Sequence, residues 1–227
     1  MQALVLAGGE GTRLRPLTLT LPKPVIPLAG RPFLSFMLDW LRRHGVDEVL
    51  LSCGYRSHDV ERVLGGIHGG MRLRYVVEDE PLGTAGPLRL AADAGVLEER
   101  VLVLNGDCLT DIDLTAELAQ HQATGAAATL ALTAVDDTSQ YGVVPTLDDG
   151  RVEAFLEKRP GPAPTNRINA GAYVLEREVV ESVLAEGVRV GDRARVGPGA
   201  VVGAGAVLAG GAVVGPGARI EPGERVA

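Results

Sequence analysis

The sequence is poor in the features that define several common classes of protein. It has only two cysteines in 227 residues, Cys53 and Cys108, and their spacing fits neither a metal-ligand pair nor a disulfide framework. No apolar run approaches the roughly 20 residues of a membrane span. The first residues do not combine a charged segment with an apolar one, so we expect no secretion signal. These absences favour a soluble, cytoplasmic protein that does not associate with membranes.

Positive charge is also in deficit. Lys and Arg number 22 against 29 Asp and Glu, which gives a net charge of −7 and argues against a protein that binds nucleic acid. The cations concentrate near the N-terminus, where Arg13, Arg15 and Lys23 lie close together. A cluster of cations in an otherwise acidic chain indicates a local site for an anion. The apolar fraction of 46% is typical of a globular protein with one core of ordinary size.

These cations belong to a stretch, residues 4–28, that combines the features of a polyphosphate site. Residues 4–7 are a short apolar run, as expected for a buried first strand. Gly8, Gly9 and Gly11 follow at once, and glycines there let the backbone turn sharply and bring N–H groups close to a ligand. The spacing matches neither the P-loop nor the dinucleotide fingerprint. Taken alone, the glycines leave a dinucleotide-binding turn or a turn without a ligand as alternatives.

The N-terminal part of the chain alternates strand and helix patterns up to about residue 135. The predicted strands are Gln2–Ala7, Glu48–Cys53, Leu73–Val77, Val101–Leu104 and Ala127–Ala134. The predicted helices are Phe33–His44, Asp59–Leu64, Thr84–Ala94 and Leu114–Thr124. Such alternation predicts an α/β fold, a Rossmann-like and mostly parallel sheet with helices on both faces. Gly8, Glu78 and Asn105 all follow strand ends, so their motifs should meet at one edge of the sheet.

Residues 8–24 carry a longer motif, Gly-Gly-Glu-Gly-Thr-Arg-Leu-Arg-Pro-Leu-Thr followed by Pro-Lys-Pro. This stretch resembles the signature of the sugar-1-phosphate nucleotidyltransferases, Gly-Gly-x-Gly-Thr-Arg-Leu-x-Pro-Leu-Thr with a later Pro-Lys-Pro. That family joins a nucleoside triphosphate to a sugar 1-phosphate and releases pyrophosphate. The resemblance implies Mg²⁺ as a cofactor. It also implies protein groups that align the two substrates and neutralise charge in the transition state.

The resemblance assigns roles to individual residues. It implies that Arg13 contacts the departing pyrophosphate, that Lys23 reaches the α-phosphate, and that Asp107 binds the metal. From the residues alone, Asp107 could equally be a turn aspartate, and Arg15 is expected to be a surface or structural charge. The expected nucleotide-binding residues are Leu6, Ala7, Gly8, Gly9, Gly11, Thr12, Arg13, Lys23, Glu78, Gly83 and Thr84. The expected sugar-phosphate residues are Gly142, Glu157, Lys158, Asn169 and Gly171, although Arg159 interrupts the family's Glu-Lys-Pro element.

Glu78 bears on the choice of base. Relatives that use uridine or thymidine have a glutamine at the corresponding position, five residues before the glycine that matches Gly83. An ionised carboxylate only accepts hydrogen bonds, so it suits the adjacent N1–H and N2–H₂ donors of guanine and repels a carbonyl of uracil or thymine. The alternative is a solvated Glu78 without a role. Glu78 therefore favours guanine. The run Glu-Pro-Leu-Gly-Thr-Ala-Gly-Pro-Leu also resembles the mannose-1-phosphate guanylyltransferases of this family, and this resemblance implies GTP and mannose 1-phosphate as substrates and GDP-mannose as product.

One element of the family has no counterpart in this sequence. The family has a longer segment after the strand that matches Asn169–Leu175, and this segment ends in an aspartate that is the second metal ligand. The only aspartate after Asn169 here is Asp192. Either a nearby glutamate substitutes, or one metal suffices, or the protein binds a nucleotide-sugar without catalysis, as a regulatory partner. A glucose-1-phosphate thymidylyl- or uridylyltransferase is a further alternative, and the short C-terminal half would also fit a deletion product.

Beyond residue 140 the pattern changes, first to strand-like pieces and then to a repeat. The pieces are Tyr141–Pro145, Arg151–Glu157 and Asn169–Leu175, followed by a helix over Glu176–Glu186. An aliphatic residue then recurs every six positions, at Val190, Val196, Val202, Leu208, Val214, Ile220 and Val226. This period resembles the hexapeptide of left-handed parallel β-helices. A hexapeptide acyltransferase is disfavoured because its histidine would lie near the coils, and all four histidines lie outside the repeat, at His44, His58, His68 and His121.

Two domains are therefore expected. A shortened nucleotidyltransferase domain would span residues 1–187, and a short left-handed β-helix would span residues 188–227. About two coils would leave open strand edges, which favours a homo-oligomer formed through the β-helix.

Overall fold

The computed structural model describes residues 1–9, 11–78, 86–158 and 161–183, together with seven two-residue strands between residues 189 and 226. The first elements are β1 (Gln2–Leu6), β2 (Pro27–Leu28), β3 (Arg31–Pro32), α1 (Phe33–Arg43), β4 (Glu48–Cys53), α2 (Ser57–Leu64), β5 (Ile67–His68) and β6 (Met71–Val77). The chain continues with α3 (Gly86–Asp93), β7 (Arg100–Asn105), α4 (Leu114–Thr124), β8 (Ala128–Ala134), β9 (Arg167–Glu176) and α5 (Arg177–Val183). None of these described helices is long and apolar enough to cross a membrane.

Seven of the strands form one sheet in the order β5-β6-β4-β1-β7-β9-β8. The four central strands, from β6 to β7, run parallel to one another. The strands at both edges pair antiparallel. The α/β fold with a mostly parallel central sheet, predicted from the alternating pattern, is confirmed.

Helices cover both faces of this sheet, and each face has its own apolar core. Along β1, Ala3 and Val5 point to one face and Leu4 to the other, as the two-residue period of a strand requires. The first core includes apolar residues of α1, α2 and α4, and the second includes residues of α3 and α5. Strands covered on both faces must be apolar throughout, which explains the continuous apolar run at the start of the chain. Both cysteines are free.

The region between β8 and β9 differs from the prediction. Tyr141–Pro145 and Arg151–Glu157 do not form strands, and their only described pairing consists of two isolated bridges, Val143–Leu156 and Thr146–Val152. Val143 and Thr146 are three positions apart, whereas their partners Leu156 and Val152 are four apart, so the pairing changes register between the two bridges and no continuous ladder forms. Glu176 ends β9 instead of beginning the helix, and residues 184–186 of the predicted helix lie outside the described part of the chain.

The C-terminal strands pair in parallel between positions 18 apart, such as Arg189 with Val207. They form three small sheets, one of three strands and two of two strands. The residues between these strands lie outside the described part of the chain. The expected domain boundary between residues 187 and 188 lies there too, so it stays a prediction.

Candidate active site

A cleft of about 850 Å³ opens where the four parallel strands end. Three backbone hydrogen bonds continue the sheet past the strand ends, from Ala7 N to Ser52 O, from Glu78 N to Cys53 O and from Gly106 N to Leu6 O, at 2.9, 3.0 and 2.9 Å. These bonds fix the residues that turn away from the sheet and line the cleft. The expected nucleotide-binding residues found in its walls are Leu6, Ala7, Gly8, Gly9, Gly11, Thr12, Arg13, Lys23 and Glu78. The remaining two, Gly83 and Thr84, lie outside the described residues.

The loop after β1 is folded tightly around Gly11. This residue has a φ of +63°, and a Cβ atom on it would lie 2.9 Å from Cγ2 of Thr18 and 3.3 Å from Cβ of Lys23. The hydroxyl of Thr18 donates a hydrogen bond of 3.0 Å to the Gly11 carbonyl. Only glycine combines this backbone conformation with such close neighbours. The packing places Arg13 and Lys23 in the cleft wall, whereas Arg15 is exposed and lies outside that wall.

Arg56, at the start of α2, holds the same loop from outside. Its Nη1 donates hydrogen bonds to the carbonyls of Thr20, at 2.5 Å, and Leu19, at 3.3 Å. Its Nε donates to Asp59 at 2.5 Å, and this bond lowers the pKa of the Asp59 carboxyl. Arg56 has a φ of +55°, an uncommon conformation for a residue with a side chain. No local pattern in the sequence indicates this contact, because it joins segments far apart in the chain.

Lys23 and Asp107 form an ion pair inside the cleft. Nζ of Lys23 lies 2.9 Å from Oδ2 of Asp107, and the two side chains are 28% and 56% exposed. The hydrogen bond from Lys23 holds the pKa of Asp107 below its ordinary value, so this carboxyl is ionised near neutral pH. Asp107 therefore presents a negative charge to the cleft, next to the ammonium group of Lys23.

A divalent cation would find one carboxylate here. The described residues contain no group of three or more side chains that could hold a metal ion. Mg²⁺ is commonly bound through one or two carboxylates, with substrate phosphates completing its oxygen ligands. The carboxylate of Asp107 already attracts a cation in the form of Lys23, so the donor chemistry fits Mg²⁺. Asp192, the only late aspartate, lies outside the described residues.

Glu78 lies beside the glycine turn, and the protein holds one of its carboxylate oxygens. The hydroxyl of Ser52 donates a hydrogen bond of 2.5 Å to Oε1 of Glu78. The Glu78 side chain is only partly exposed and lines the cleft. Gly8 contacts it closely, because a Cβ atom on Gly8 would lie 3.0 Å from the same Oε1. The structure does not support the alternative in which Glu78 is merely solvated.

The expected sugar-phosphate residues lie outside the walls of this cleft. Gly142 packs against the backbone of the facing segment, where a Cβ atom on it would lie 2.9 Å from the Leu156 carbonyl oxygen. Glu157 and Lys158, next along that segment, are exposed. The backbone N–H of Val143 donates to the Leu156 carbonyl at 2.8 Å, and this bond holds the two segments together.

Asn169 and Gly171 lie on an irregular part of β9. The pairing with β8 shifts between Leu130 and Leu132, and Gly171 has a φ of +77°. Asn169 supports this irregularity, because its Oδ1 accepts a bond of 2.9 Å from Gly171 N and its Nδ2 donates one of 2.7 Å to the Tyr173 hydroxyl. A Cβ atom on Gly171 would lie 2.8 Å from Nδ2 of Asn105, which lines the cleft. Gly171 therefore borders this cleft through Asn105.

Comparison with protein families identifies the chain. The model of the nucleotidyl transferase family matches residues 2–194. The chain belongs to this family. The match includes the glycine-rich signature loop after β1 and every described residue of the cleft wall.

Individual relatives give the same assignment. A mannose-1-phosphate guanylyltransferase from Mycobacterium tuberculosis is 44% identical over 185 residues, which cover 81% of this chain and 51% of that protein. A D-glycero-alpha-D-manno-heptose 1-phosphate guanylyltransferase from Aneurinibacillus thermoaerophilus is 38% identical, and the match covers 80% of this chain and 77% of that protein. The crystal structure of HddC from Yersinia pseudotuberculosis complexed with GMP-PN superposes with a TM-score of 0.67 at 29% identity. The superposition covers 79% of this chain and 78% of the HddC chain. The chain spans about half the length of several curated relatives that it matches.

Some residues of this nucleotidyl transferase cleft were not given roles from the sequence. They include Ser52, Asn105 and Gly106. Gly106 has no room for a side chain, because a Cβ atom would lie 2.7 Å from the Leu6 carbonyl oxygen. One signal for Ser52 was present, since it is a polar residue near the end of the otherwise apolar run Val49-Leu50-Leu51. A polar side chain at the carboxyl end of a parallel strand points to the ligand-binding edge of the sheet.

Proposed function

We propose that this chain catalyses the transfer of a nucleotidyl group from GTP to a sugar 1-phosphate, releasing pyrophosphate. Mannose 1-phosphate is the favoured acceptor, which would give GDP-mannose. The observation that carries this proposal is the meeting of Lys23, Asp107 and Glu78 in one cleft at the ends of the parallel strands. Lys23 suits a polyphosphate, Asp107 suits the cation bound to that polyphosphate, and Glu78 suits a base.

The reaction breaks one phosphoanhydride bond and forms another. A phosphate oxygen of the sugar 1-phosphate attacks the α-phosphorus of GTP, and the bond from that phosphorus to the β-phosphate oxygen breaks. The protein must keep the attacking and leaving oxygens in line and neutralise the negative charge that builds up. Lys23 is proposed to contact the α-phosphate and Arg13 the departing pyrophosphate. The backbone N–H groups of the glycine turn would contribute further donors.

Asp107 is the proposed ligand of Mg²⁺. The bound ion would neutralise charge on the phosphate oxygens. Lys23 would then exchange its partner, because a lysine that contacts Asp107 at 2.9 Å is within reach of a phosphate bound beside that carboxylate. The ion pair therefore keeps Lys23 close to the position that its proposed role requires.

Guanine is the proposed base because Glu78 is an acceptor. An ionised carboxylate has about four acceptor positions, and the Ser52 hydroxyl uses one of them. The adjacent N1–H and N2–H₂ groups of guanine can occupy two more. The guanylyltransferase relatives and the HddC complex with GMP-PN agree with this proposal.

The sugar 1-phosphate is proposed to bind beyond Asn105. Lys158 would hold its phosphate, Glu157 and Asn169 would bind sugar hydroxyls, and Gly142 and Gly171 would let the sugar lie against the backbone. Asn169 retains capacity for this role, because its two described bonds use one of its two amide protons and one of its two oxygen lone pairs.

The C-terminal segment is proposed to be a left-handed parallel β-helix that mediates homo-oligomer formation. The unbroken aliphatic phase over residues 190–226 and the pairing of strands between positions 18 apart support it. Three hexapeptides would form one coil of this length.

A turnover assay tests the catalytic proposal. Pyrophosphate release is measured with GTP, UTP and dTTP, each combined with a panel of sugar 1-phosphates and Mg²⁺. We expect the highest kcat/KM with GTP and mannose 1-phosphate. Binding of GDP-mannose without any turnover would instead support a regulatory nucleotide-sugar-binding protein. Preference for dTTP or UTP would contradict the guanylyltransferase assignment.

A substitution at Glu78 tests the choice of base. Glu78→Gln replaces one acceptor with a donor, which matches the carbonyl and N–H of a pyrimidine and meets guanine with only one acceptor. We expect the ratio of kcat/KM for GTP to that for UTP to fall by about ten- to a hundredfold, since each mismatched contact is worth roughly 1–3 kcal/mol. An unchanged ratio in a folded, active variant would show that Glu78 does not read the base.

A further inference from the structure

Ser52 occupies an unusual position for a buried polar residue. It is completely buried, with 0% exposure, at the end of the second of the four parallel strands. Its carbonyl accepts a hydrogen bond of 2.9 Å from Ala7 N, which leads into the glycine turn. Its hydroxyl donates to Oε1 of Glu78 at 2.5 Å. Ser52 therefore joins the signature loop and the proposed base-reading residue through two different atoms.

The backbone around Ser52 is fixed independently of this hydroxyl. In the pairing of β4 with β6, Ser52 lies opposite Val76 and Cys53 lies opposite Val77. One residue further, Glu78 N donates to the Cys53 carbonyl at 3.0 Å. Removing the Ser52 hydroxyl would leave these main-chain contacts in place. Its loss should therefore act on the direction of the Glu78 carboxylate and not on the position of the Glu78 backbone.

Space around the Glu78 carboxylate is also restricted. A Cβ atom on Gly8 would approach Oε1 to 3.0 Å and the carboxyl carbon to 3.8 Å. Gly8 thus leaves just enough room for the orientation in which Ser52 holds Oε1. A long flexible side chain at a cleft normally loses rotamer freedom when it binds a ligand. If Ser52 already holds the Glu78 side chain in one orientation, less rotamer freedom is lost when a ligand that matches this orientation binds.

We propose that Ser52 is a positioning residue that sets the base specificity of the nucleotide site by orienting the Glu78 carboxylate toward a purine with adjacent N–H donors. This inference rests on the proposed role of Glu78 and extends it to a residue that does not touch the substrate. The Ser52 hydroxyl also excludes one orientation of Glu78, in which Oε1 would turn into the cleft. The effect should be selective for guanine, because only guanine uses the oriented pair of carboxylate oxygens.

The test compares binding of GTP and UTP by titration calorimetry, with Mg²⁺ and without a sugar phosphate, so that no turnover is needed. In Ser52→Ala we expect the Kd for GTP to rise about ten- to a hundredfold, while the Kd for UTP changes by less than about twofold. In Glu78→Gln the additional change Ser52→Ala should have little further effect on GTP, because the two residues act as one unit. Ser52→Cys keeps the size with a weaker donor and should give an intermediate loss.

A matched control separates the proposed role from the general cost of losing a buried hydroxyl. Ser35 is also buried, and its hydroxyl donates to the Pro32 carbonyl at 2.7 Å, in α1 and away from the cleft wall. Ser35→Ala should lower the melting temperature to a similar degree and leave both nucleotide affinities unchanged. If Ser52→Ala weakens GTP and UTP equally, Ser52 only stabilises the site and the inference is wrong.

The failure of this inference can be told apart from the failure of the proposed base recognition. If Glu78→Gln shifts the ratio of GTP to UTP affinity and Ser52→Ala does not, the role of Ser52 alone is excluded. If neither variant shifts the ratio, Glu78 does not read the base and both ideas fail together.

Discussion

Asp107 is the residue whose charge the proposed chemistry depends on most. Asp107→Asn keeps the shape of the side chain and removes its charge, so it should weaken Mg²⁺ binding and leave Lys23 without its partner. We expect turnover at saturating Mg²⁺ to fall at least about a hundredfold, in line with the loss of one preorganised charge contact. Because the pair is partly exposed, the free energy of unfolding should change by less than about 1 kcal/mol. Pyrophosphate release and a thermal melt measure the two effects.

The control for Asp107→Asn is the same change at an exposed aspartate. Asp148 lies in the turn at residues 148–150 and is exposed. Asp148→Asn should leave both turnover and its dependence on Mg²⁺ unchanged. Near-normal activity of Asp107→Asn at saturating Mg²⁺ would remove Asp107 from the metal site.

Single residues could be predicted from the sequence where they belong to one continuous motif. Arg13 and Lys23 lie in the signature loop, and Asp107 follows directly after a buried strand, so their meeting in the cleft follows from the order of the parallel strands. The contact between Ser52 and Glu78 could not be predicted in this way. It depends on the register between β4 and β6, and no local pattern in the sequence specifies that register.

Helix α4 carries a buried carboxyl group, Glu117, that has no role in the proposed function. Glu117 is 8% exposed and lies on the buried face of the helix, together with Leu114 and His121. Neither of its carboxylate oxygens has a hydrogen-bond partner among the described residues. Burial raises the pKa of Glu117 from 4.5 to about 7. Helix α4 therefore contains a group that is more stable protonated than ionised.

The raised pKa of Glu117 predicts that the protein becomes less stable as the pH rises. Between about pH 5 and about pH 7 the unfolded chain releases the Glu117 proton and the folded chain keeps it, so stability should fall as pH rises. Above about pH 7 the Glu117 carboxyl is ionised in both the folded and the unfolded chain. The loss of stability is then complete and amounts to up to roughly 3 kcal/mol. Glu117→Gln cannot ionise, so its free energy of unfolding relative to wild type should rise by about 2–3 kcal/mol between these limits. Urea unfolding at about pH 5 and about pH 8 measures the difference.

An exposed glutamate on a neighbouring helix provides the comparison for Glu117. Glu61 lies on α2 and is exposed, so Glu61→Gln should shift stability by the same small amount at both pH values. The buried position of Glu117 would be contradicted if Glu117→Gln behaved in the same way as this control.

Elements were predictable where the hydrophobic pattern extends over a whole segment. This holds for α1, whose apolar residues recur on one face, and for β1, β4 and β7, which are apolar over most of their length, and the predicted bounds of these elements agree with the structure to within a few residues. The placement of β9 between β7 and β8 was not predictable. The chain leaves the sheet after β8, returns more than thirty residues later, and pairs antiparallel with both neighbours. Hydrophobic periodicity indicates that a strand exists and carries no information about its neighbours.

At the scale of the whole molecule, the notable feature is the set of small C-terminal sheets with open edges. In the described part of the C-terminal segment, the sheets contain only two or three strands. Among the residues that the structure describes, the outer strands of the three-stranded sheet, Arg189–Val190 and Arg225–Val226, each pair on one side only. Unpaired edges of this kind are templates for another copy of the same segment. Self-association through this segment is therefore the behaviour we expect of the chain as a whole.

This expectation can be measured from the mass of the particle in solution. A single chain has a mass of 23.7 kDa. Sedimentation equilibrium of the full chain should give a multiple of this mass that dissociates on dilution. A variant that ends at residue 187 should sediment as a monomer, because it lacks every described strand of the C-terminal segment. It should still bind GTP, since all described residues of the cleft wall lie before residue 108. A full chain that sediments at the mass of one copy at every concentration would contradict assembly through the repeat, and an oligomeric shortened variant would assign the interface to the nucleotidyl transferase domain instead.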